Sequence, residues 1–165
     1  MTIIDMFTKE LLDEAETTEK MLSCIPDDRY EWQPHEKSMT IRRLANHIAE
    51  LPYWVGMALD SDELDLADNP YQPTTYNRTT DLLEYFDKAV KDARERLSRA
   101  SDQILPQNWT LKNGEEILSV STKGDTLRMI FSQIIHHRAQ MGVFLRLLNV
   151  PIPGSYGPSA DEDNF

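Results

Sequence analysis

The chain has 165 residues and a net charge of −11, because 28 acidic side chains outnumber 17 lysines and arginines. This length suits one domain spanning residues 1–165, and a negative field of this size disfavours nucleic acids and anionic membranes as partners. The single cysteine, Cys24, excludes an internal disulfide, and the chain shows neither a basic apolar leader nor a membrane-length apolar run, which favours a cytoplasmic protein.

The first predicted helix covers residues 5–24. Its apolar residues recur at steps of three and four, which is the spacing of one helix face; they are Phe7, Leu11, Leu12, Ala15 and Leu22. Pro26 and the two aspartates after it end the pattern, because proline cannot continue a helix.

The second predicted helix begins near Ser38 or Thr40, either of which suits an N-cap. Its apolar face includes a histidine, and the members are Leu44, His47, Ile48, Leu51 and Val55. Pro52 lies inside this pattern and is expected to kink or divide the helix, since it removes one backbone donor.

A long connection follows over residues 60–79, acidic at first and then rich in turn-forming residues. The third predicted helix covers residues 80–100, with Thr80 as its cap. Its buried face is expected to contain Leu82, Phe86, Ala89, Val90, Ala93 and Leu97. A crossover of this length fits a bundle with one long connection.

Asn113-Gly114 separates two apolar runs within residues 109–120, which is a hairpin signal. A fourth helix is predicted from Gly124 or Asp125 to Asn149, with one continuous inward face: Leu127, Ile130, Ile134, His137, Met141, Phe144, Leu145 and Leu148. The predicted fold class is therefore all-α, a four-helix bundle with a long crossover connection and a small β-hairpin before the last helix.

Two of the four histidines fall on apolar helix faces. His47 lies between Leu44 and Leu51, and His137 lies between Ile130 and Met141, so both should point into the bundle. A buried imidazole needs a partner for each ring nitrogen. That partner is either a neighbouring hydroxyl or carbonyl, which is the simpler reading of the pattern, or a metal ion held between facing helices.

Several segments in order resemble the DinB/YfiT-like superfamily of four-helix bundles. They are the loop 32–38 (WQPHEKS), the stretch 46–52 (NHIAELP), the HHRAQ core at 136–140 and the ending 150–160 (VPIPGSYGPSA). Each segment is modestly specific, but their order and spacing together cover nearly the whole chain. The resemblance implies a single DinB-like domain.

The resemblance also implies a divalent metal, nickel or zinc, held by three histidines. Carried over by motif, His47 and His137 are two of these ligands, and Gln133 stands where the family has the third. An amide oxygen is neutral and hard and suits zinc or nickel less well than imidazole, so low occupancy is expected. Two outcomes stay open: a weakly held ion completed by water, or a metal-free cluster in which Gln133 bonds both imidazoles.

Three further residues are candidates for supporting this pocket. Glu50 follows His47 by three residues and could orient its imidazole, although a solvated helix charge is the simpler expectation. Gln140 is expected near Gln133, and His136 lies about 100° around the helix from His137, which predicts a boundary or dimer-face position. Arg138 is expected to pair with acidic side chains.

Other catalytic templates are missing from the sequence. It has no pair of inward Glu-x-x-His elements for a di-iron bundle and no HExxH, P-loop or GxGxxG element. Cys24 has no positive cluster near it in the sequence, which argues against a nucleophilic role.

The resemblance implies a metal-dependent enzyme acting on small molecules, either thiol S-transferase-like or hydrolase-like, with a small-molecule ligand or thiol as partner. The alternative is a non-catalytic, metal-free binding or stress-associated module, which the glutamine at position 133 favours. The resemblance further implies a homodimer, with Phe144 and Leu147 as candidate contacts.

Overall fold

The computed structural model describes residues 1–73 and 75–162. Four helices dominate these residues: α1 (Ile3–Ser23), α2 (Ile41–Asp60), α3 (Thr79–Arg99) and α4 (Lys123–Leu147). Three short strands, β1 (Glu63–Asp65), β2 (Asn108–Asn113) and β3 (Glu116–Thr122), form one small sheet. Both α1 and α2 pack against α3 and α4, which gives the predicted bundle.

Side-chain caps start three of the four helices. Thr2 and Asp5 form a capping box on α1, Thr40 caps α2, and Thr122 caps α4. Each threonine oxygen accepts a backbone N–H that has no partner within the helix. Of the two caps predicted for α2, Thr40 is therefore the one used.

The predicted cap of α3 is wrong, because Thr80 lies inside the helix and Arg78 occupies the cap position without a side-chain bond. A residue distant in sequence supplies the cap instead. Asp27 accepts the backbone N–H of Thr79 at 2.8 Å, and the Thr79 hydroxyl donates to the carbonyl of Ile25 at 2.7 Å. This contact ties the loop after α1 to the start of α3.

Helix α2 runs undivided through Pro52, so of the two expected outcomes, a kink or a division, the division is wrong. Proline removes one backbone hydrogen bond. Leu51 and Val55, on either side of it, are fully buried, and burial of this kind is worth about 1.5–3 kcal/mol per side chain. Packing of the neighbouring turns therefore offsets the missing bond.

The core consists of two clusters of buried apolar side chains. One contains Leu51, Val55, Leu127, Ile130 and Ile134, and the other contains Leu44, Ile48, Phe86, Met141 and Leu145. In both α2 and α4 the inward histidine falls between residues of the two clusters. The histidine pair thus lies where the two parts of the core meet.

A few predicted core positions are not in the core. Leu12 of α1 is 39% exposed, and Val90, Phe144 and Leu148 only pack against the core from its edge. Leu12 follows the buried Leu11 directly and so points about 100° away from it around the helix.

The predicted hairpin is present, with Gly114 at a φ of 61° in its turn. The all-α description is nevertheless incomplete, because β1 from the crossover connection adds a third strand. It pairs in parallel with β2, with Leu64 opposite Leu111. The connection is thereby held against the hairpin through β1.

A buried ion pair joins α1 to α4. Arg138 is 2% exposed, and its Nη1 lies 2.5 Å from Oε2 of Glu14, as expected for an arginine that pairs with an acidic side chain. Tyr156, in the segment after α4, donates its hydroxyl to Glu14 at 2.8 Å and accepts from Arg138. This contact fixes the chain beyond α4 against the bundle.

Across residues 1–73 and 75–162, the helices lack the combination of length and apolar character that a bilayer crossing requires.

Candidate functional site

The structure brings His47 of α2 and His137 of α4 into contact. Their ring centroids are 4.8 Å apart, and the ring planes are inclined at 74°. His137 is 9% exposed, and the His47 side chain is 16% exposed. Two imidazoles far apart in the chain therefore meet inside the bundle.

Glu50 fixes the imidazole of His47. Its Oε1 lies 2.8 Å from Nδ1 of His47, and the same oxygen accepts the hydroxyl of Tyr71 from the crossover connection. Because an ionised carboxylate can only accept, the proton of His47 is placed on Nδ1. In the neutral imidazole with this tautomer, Nε2 carries the lone pair.

Glu50 is 6% exposed, so the expectation of a solvated helix charge is wrong. Burial and the hydrogen bond to the Glu50 carboxylate together raise the pKa of Tyr71 well above its usual value. Tyr71 therefore stays protonated and remains a donor to Glu50 across the ordinary pH range. His47, Glu50 and Tyr71 form a fixed chain of hydrogen bonds from the site to the crossover.

Gln140 orients the imidazole of His137, as Glu50 does that of His47. Its Oε1 lies 2.8 Å from Nδ1 of His137, and an amide oxygen can only accept. Nδ1 of this ring therefore also carries the proton, and Nε2 is again available. Burial lowers the pKa of His137 below its ordinary value, helped by the neighbouring histidines, which favours the neutral imidazole that metal binding requires.

The remaining predicted site residues lie at the edge of this arrangement. Gln133 is half-buried, one turn before His137, and its amide makes no hydrogen bond to any residue that the structure describes. His136 is exposed, with its ring centroid 4.9 Å from that of His137. The structure thus joins His47, Glu50, His137 and Gln140, while Gln133 bonds neither imidazole.

A cavity of about 440 Å³ opens beside His47, between α2, α4, the sheet and the crossover. Apolar side chains form most of its wall, among them Trp54, Met57, Leu111, Met129 and Ile130. Trp54 contacts the histidine directly, with ring centroids 5.6 Å apart. A pocket of this size and character is typical of small-molecule sites.

Sequence reasoning missed the cavity residues Arg43, Trp54 and Tyr71. A signal existed for Arg43, which precedes His47 by four residues and so shares its helix face. The sequence offered no such signal for Tyr71, because its position depends on how the crossover folds back over α2.

The spacing of the two rings matches that of two ligands of one transition-metal ion. A metal bound at Nε2 lies about 2.0–2.1 Å from the nitrogen, so two imidazoles on one tetrahedral ion have centroids about 5 Å apart. The observed 4.8 Å agrees, and a ligating histidine usually donates its other N–H to an oxygen acceptor, as both do here. Among the described residues, however, no group of three or more His, Cys, Asp or Glu side chains gathers around one point.

The described residues thus form a four-helix bundle with a histidine pair on its inner face and an apolar cavity beside it. The model of the DinB family matches residues 2–163. The chain therefore belongs to the DinB family.

Relatives share the fold over nearly the whole chain. The uncharacterized protein YrdA of Bacillus subtilis is 25% identical over 163 residues, which are 96% of this chain and 91% of YrdA. The crystal structure of the DinB-like protein YjoA from B. subtilis matches with a TM-score of 0.71 at 16% identity, covering 96% of this chain and 99% of YjoA. B. subtilis YfiT, described as a probable metal-dependent hydrolase with an unusual four-helix bundle topology, matches with a TM-score of 0.67 at 13% identity, covering 90% and 89%.

Proposed function

We propose that this protein is a metal-dependent enzyme acting on a small molecule, with His47 and His137 as ligands of a divalent ion. The observation that carries the proposal is the hydrogen bonding and the spacing of the two imidazole rings. Each has its Nδ1 hydrogen-bonded to an oxygen acceptor, each therefore offers Nε2, and their centroids are 4.8 Å apart. The description of YfiT, a protein of similar fold, as a probable metal-dependent hydrolase also supports it.

The third ligand position falls to Gln133, one turn before His137 on the same helix face. Its amide has no competing hydrogen bond within the described residues. Amide oxygen is a poor donor for zinc or nickel, so we expect weaker binding than in a three-histidine site. Water or substrate would complete the coordination.

When bound, the ion would lower the pKa of a coordinated water or thiol and so supply a nucleophile at neutral pH. The protein's own groups act around it. Glu50 and Gln140 hold the Nδ1 protons of His47 and His137, which keeps both rings oriented. Trp54, Met57 and Ile130 line the cavity and would give the substrate an apolar wall. The two reaction classes are hydrolysis, with a coordinated water as nucleophile, and thiol transfer, with a coordinated thiol.

Metal analysis tests the proposal. The protein is purified without a polyhistidine tag or chelator, then titrated with zinc and with nickel. We expect low occupancy as isolated and one ion per chain at saturation. Less than about a tenth of an equivalent after added metal would overturn the proposal, since even a weak site fills when the metal is in excess.

The variant Gln133→His tests the same site by supplying a third imidazole. A third imidazole should tighten zinc binding at least about ten-fold, because three histidines form a complete set of protein ligands for zinc. Ser132→His is the matched control: it adds a histidine at the adjacent exposed position and should leave the affinity unchanged. Equal effects of the two variants would mean that position 133 does not converge on the histidine pair.

A second function is favoured by one specific observation. The described residues contain no group of three strong ligands, which suits a metal-free binding module that keeps the cavity. In that case Gln133→His alone would acquire metal, and the wild-type protein would bind small molecules equally well with and without a chelator.

A further inference from the structure

The cavity beside His47 differs in charge from the rest of the molecule. The chain carries 28 acidic residues, yet among the residues that the structure describes no aspartate or glutamate lines the cavity, and Arg43 is the only formally charged one that does. Glu50 lies behind His47, where it accepts hydrogen bonds from His47 and Tyr71. A ligand in the cavity therefore meets one positive charge and no exposed negative one.

Arg43 has no anionic partner within the part of the chain that the structure describes. Its guanidinium makes neither a hydrogen bond nor an ion pair there, whereas the adjacent Arg42 pairs with Glu31. Arg43 is exposed and lines the cavity, which places it at the mouth. A guanidinium in this setting is suited to a carboxylate, with which it can form two parallel hydrogen bonds.

The spacing along α2 relates this charge to the histidine pair. Arg43 and His47 are four residues apart on one helix face, which corresponds to about 6 Å along the axis. A carboxylate held by Arg43 would place the atoms a few bonds further along beside His47. The remainder of the molecule would lie against Trp54, Met57 and Met129, and methionine side chains adapt readily to different apolar shapes.

We propose that the cavity binds a small monoanionic carboxylic acid with an apolar or aromatic body, its carboxylate on Arg43. Among the described lining residues Arg43 supplies the one permanent positive charge, which matches the single negative charge of a monocarboxylate. This inference rests on the proposed function in naming the class of substrate for that site. It requires only the cavity and Arg43, and not the ion. The carboxylate inference and the proposed metal site can therefore fail independently of each other.

The test uses the protein with a chelator present and follows its tryptophan fluorescence. Two of the three tryptophans, Trp54 and Trp109, line the cavity. The probes are 4-phenylbutyrate, 4-phenylbutanol and 4-phenylbutylamine, which share one body and differ in charge. We expect the acid to bind about ten-fold or more tightly than the alcohol, as a charge-assisted bond implies. The amine should bind most weakly.

Arg43→Gln should remove the preference for the acid and leave the affinity for the alcohol unchanged. Arg43→Lys should retain part of the preference for the acid. Arg94→Gln is the matched control, because Arg94 is exposed on α3 away from the cavity and carries the same charge. Failure of all three probes to bind, tightest binding by the alcohol or amine, or equal losses in Arg43→Gln and Arg94→Gln would overturn the inference. Metal binding measured on the same preparations reports on the proposed function separately.

Discussion

Oε1 of Glu50 lies 2.8 Å from Nδ1 of His47, three residues earlier on the same helix. This contact fixes which ring nitrogen of His47 carries the proton. Without it, either nitrogen could be protonated and the ring could turn. We therefore give Glu50 a positioning role, which it exerts through His47.

Glu50→Gln should lower zinc affinity by about ten- to a hundred-fold, the usual effect of losing an acceptor behind a metal-ligating histidine. Zinc competition titration measures it, with thermal unfolding recorded alongside. Glu84→Gln, an exposed site on α3, removes the same charge and should not alter the affinity. A loss of thermal stability with unchanged zinc affinity would refute the positioning role.

Tyr71→Phe removes the hydroxyl that donates to Glu50. We expect faster amide hydrogen exchange across residues 66–73, because this bond ties the crossover to α2. Tyr53→Phe is the control, since its hydroxyl makes no hydrogen bond within the described residues, and exchange in 66–73 should then stay the same. Identical exchange in both variants would show that the Tyr71 bond does not restrain the crossover.

Arg138→Met should lower the free energy of unfolding by about 3 kcal/mol, because Glu14 would be left buried without its partner. Urea denaturation provides the value. Arg146→Met breaks the ion pair with Asp161, in which Arg146 is 43% exposed, and an exposed pair is worth at most about 1 kcal/mol. Similar small losses in the two variants would contradict the structural role given to Arg138.

The pH dependence of stability should carry a contribution from His137. Burial lowers the pKa of His137 in the folded protein below its value in the unfolded chain, which is 6.5. The unfolded chain therefore binds more protons as the pH falls below 6.5, and the folded state loses stability there. Stability is recovered as the pH rises through this window.

The free energy of unfolding, measured by urea denaturation between about pH 5 and pH 7, should change less steeply with pH in His137→Gln than in the wild-type protein. This range spans the ordinary histidine pKa. His35→Gln serves as the control, because His35 is exposed. A wild-type slope retained in His137→Gln would argue against a lowered pKa for this group.

The helices were predictable because their inward faces follow a local pattern. Leu44, Ile48 and Leu51 recur at helical steps, and all three are fully buried. The inward positions of His47 and His137 follow from the same periodicity. Their convergence could be anticipated only with the family resemblance, since periodicity does not say which helices face each other.

Features that depend on distant residues could not be read in this way. Strand β1 is three residues long with two acidic side chains, and it forms only because β2, far along the chain, pairs with it. The cap of α3 comes from Asp27, and the burial of Glu50 depends on Tyr71 folding over it. In each case the stabilising contact lies outside the local window of sequence.

The central claim is that His47 and His137 bind one ion together, and X-ray absorption of the zinc-loaded protein tests it most directly. The account predicts two imidazole ligands in the wild-type spectrum, one in His47→Ala or His137→Ala, and three in Gln133→His. An imidazole count that stays the same in both alanine variants would contradict it.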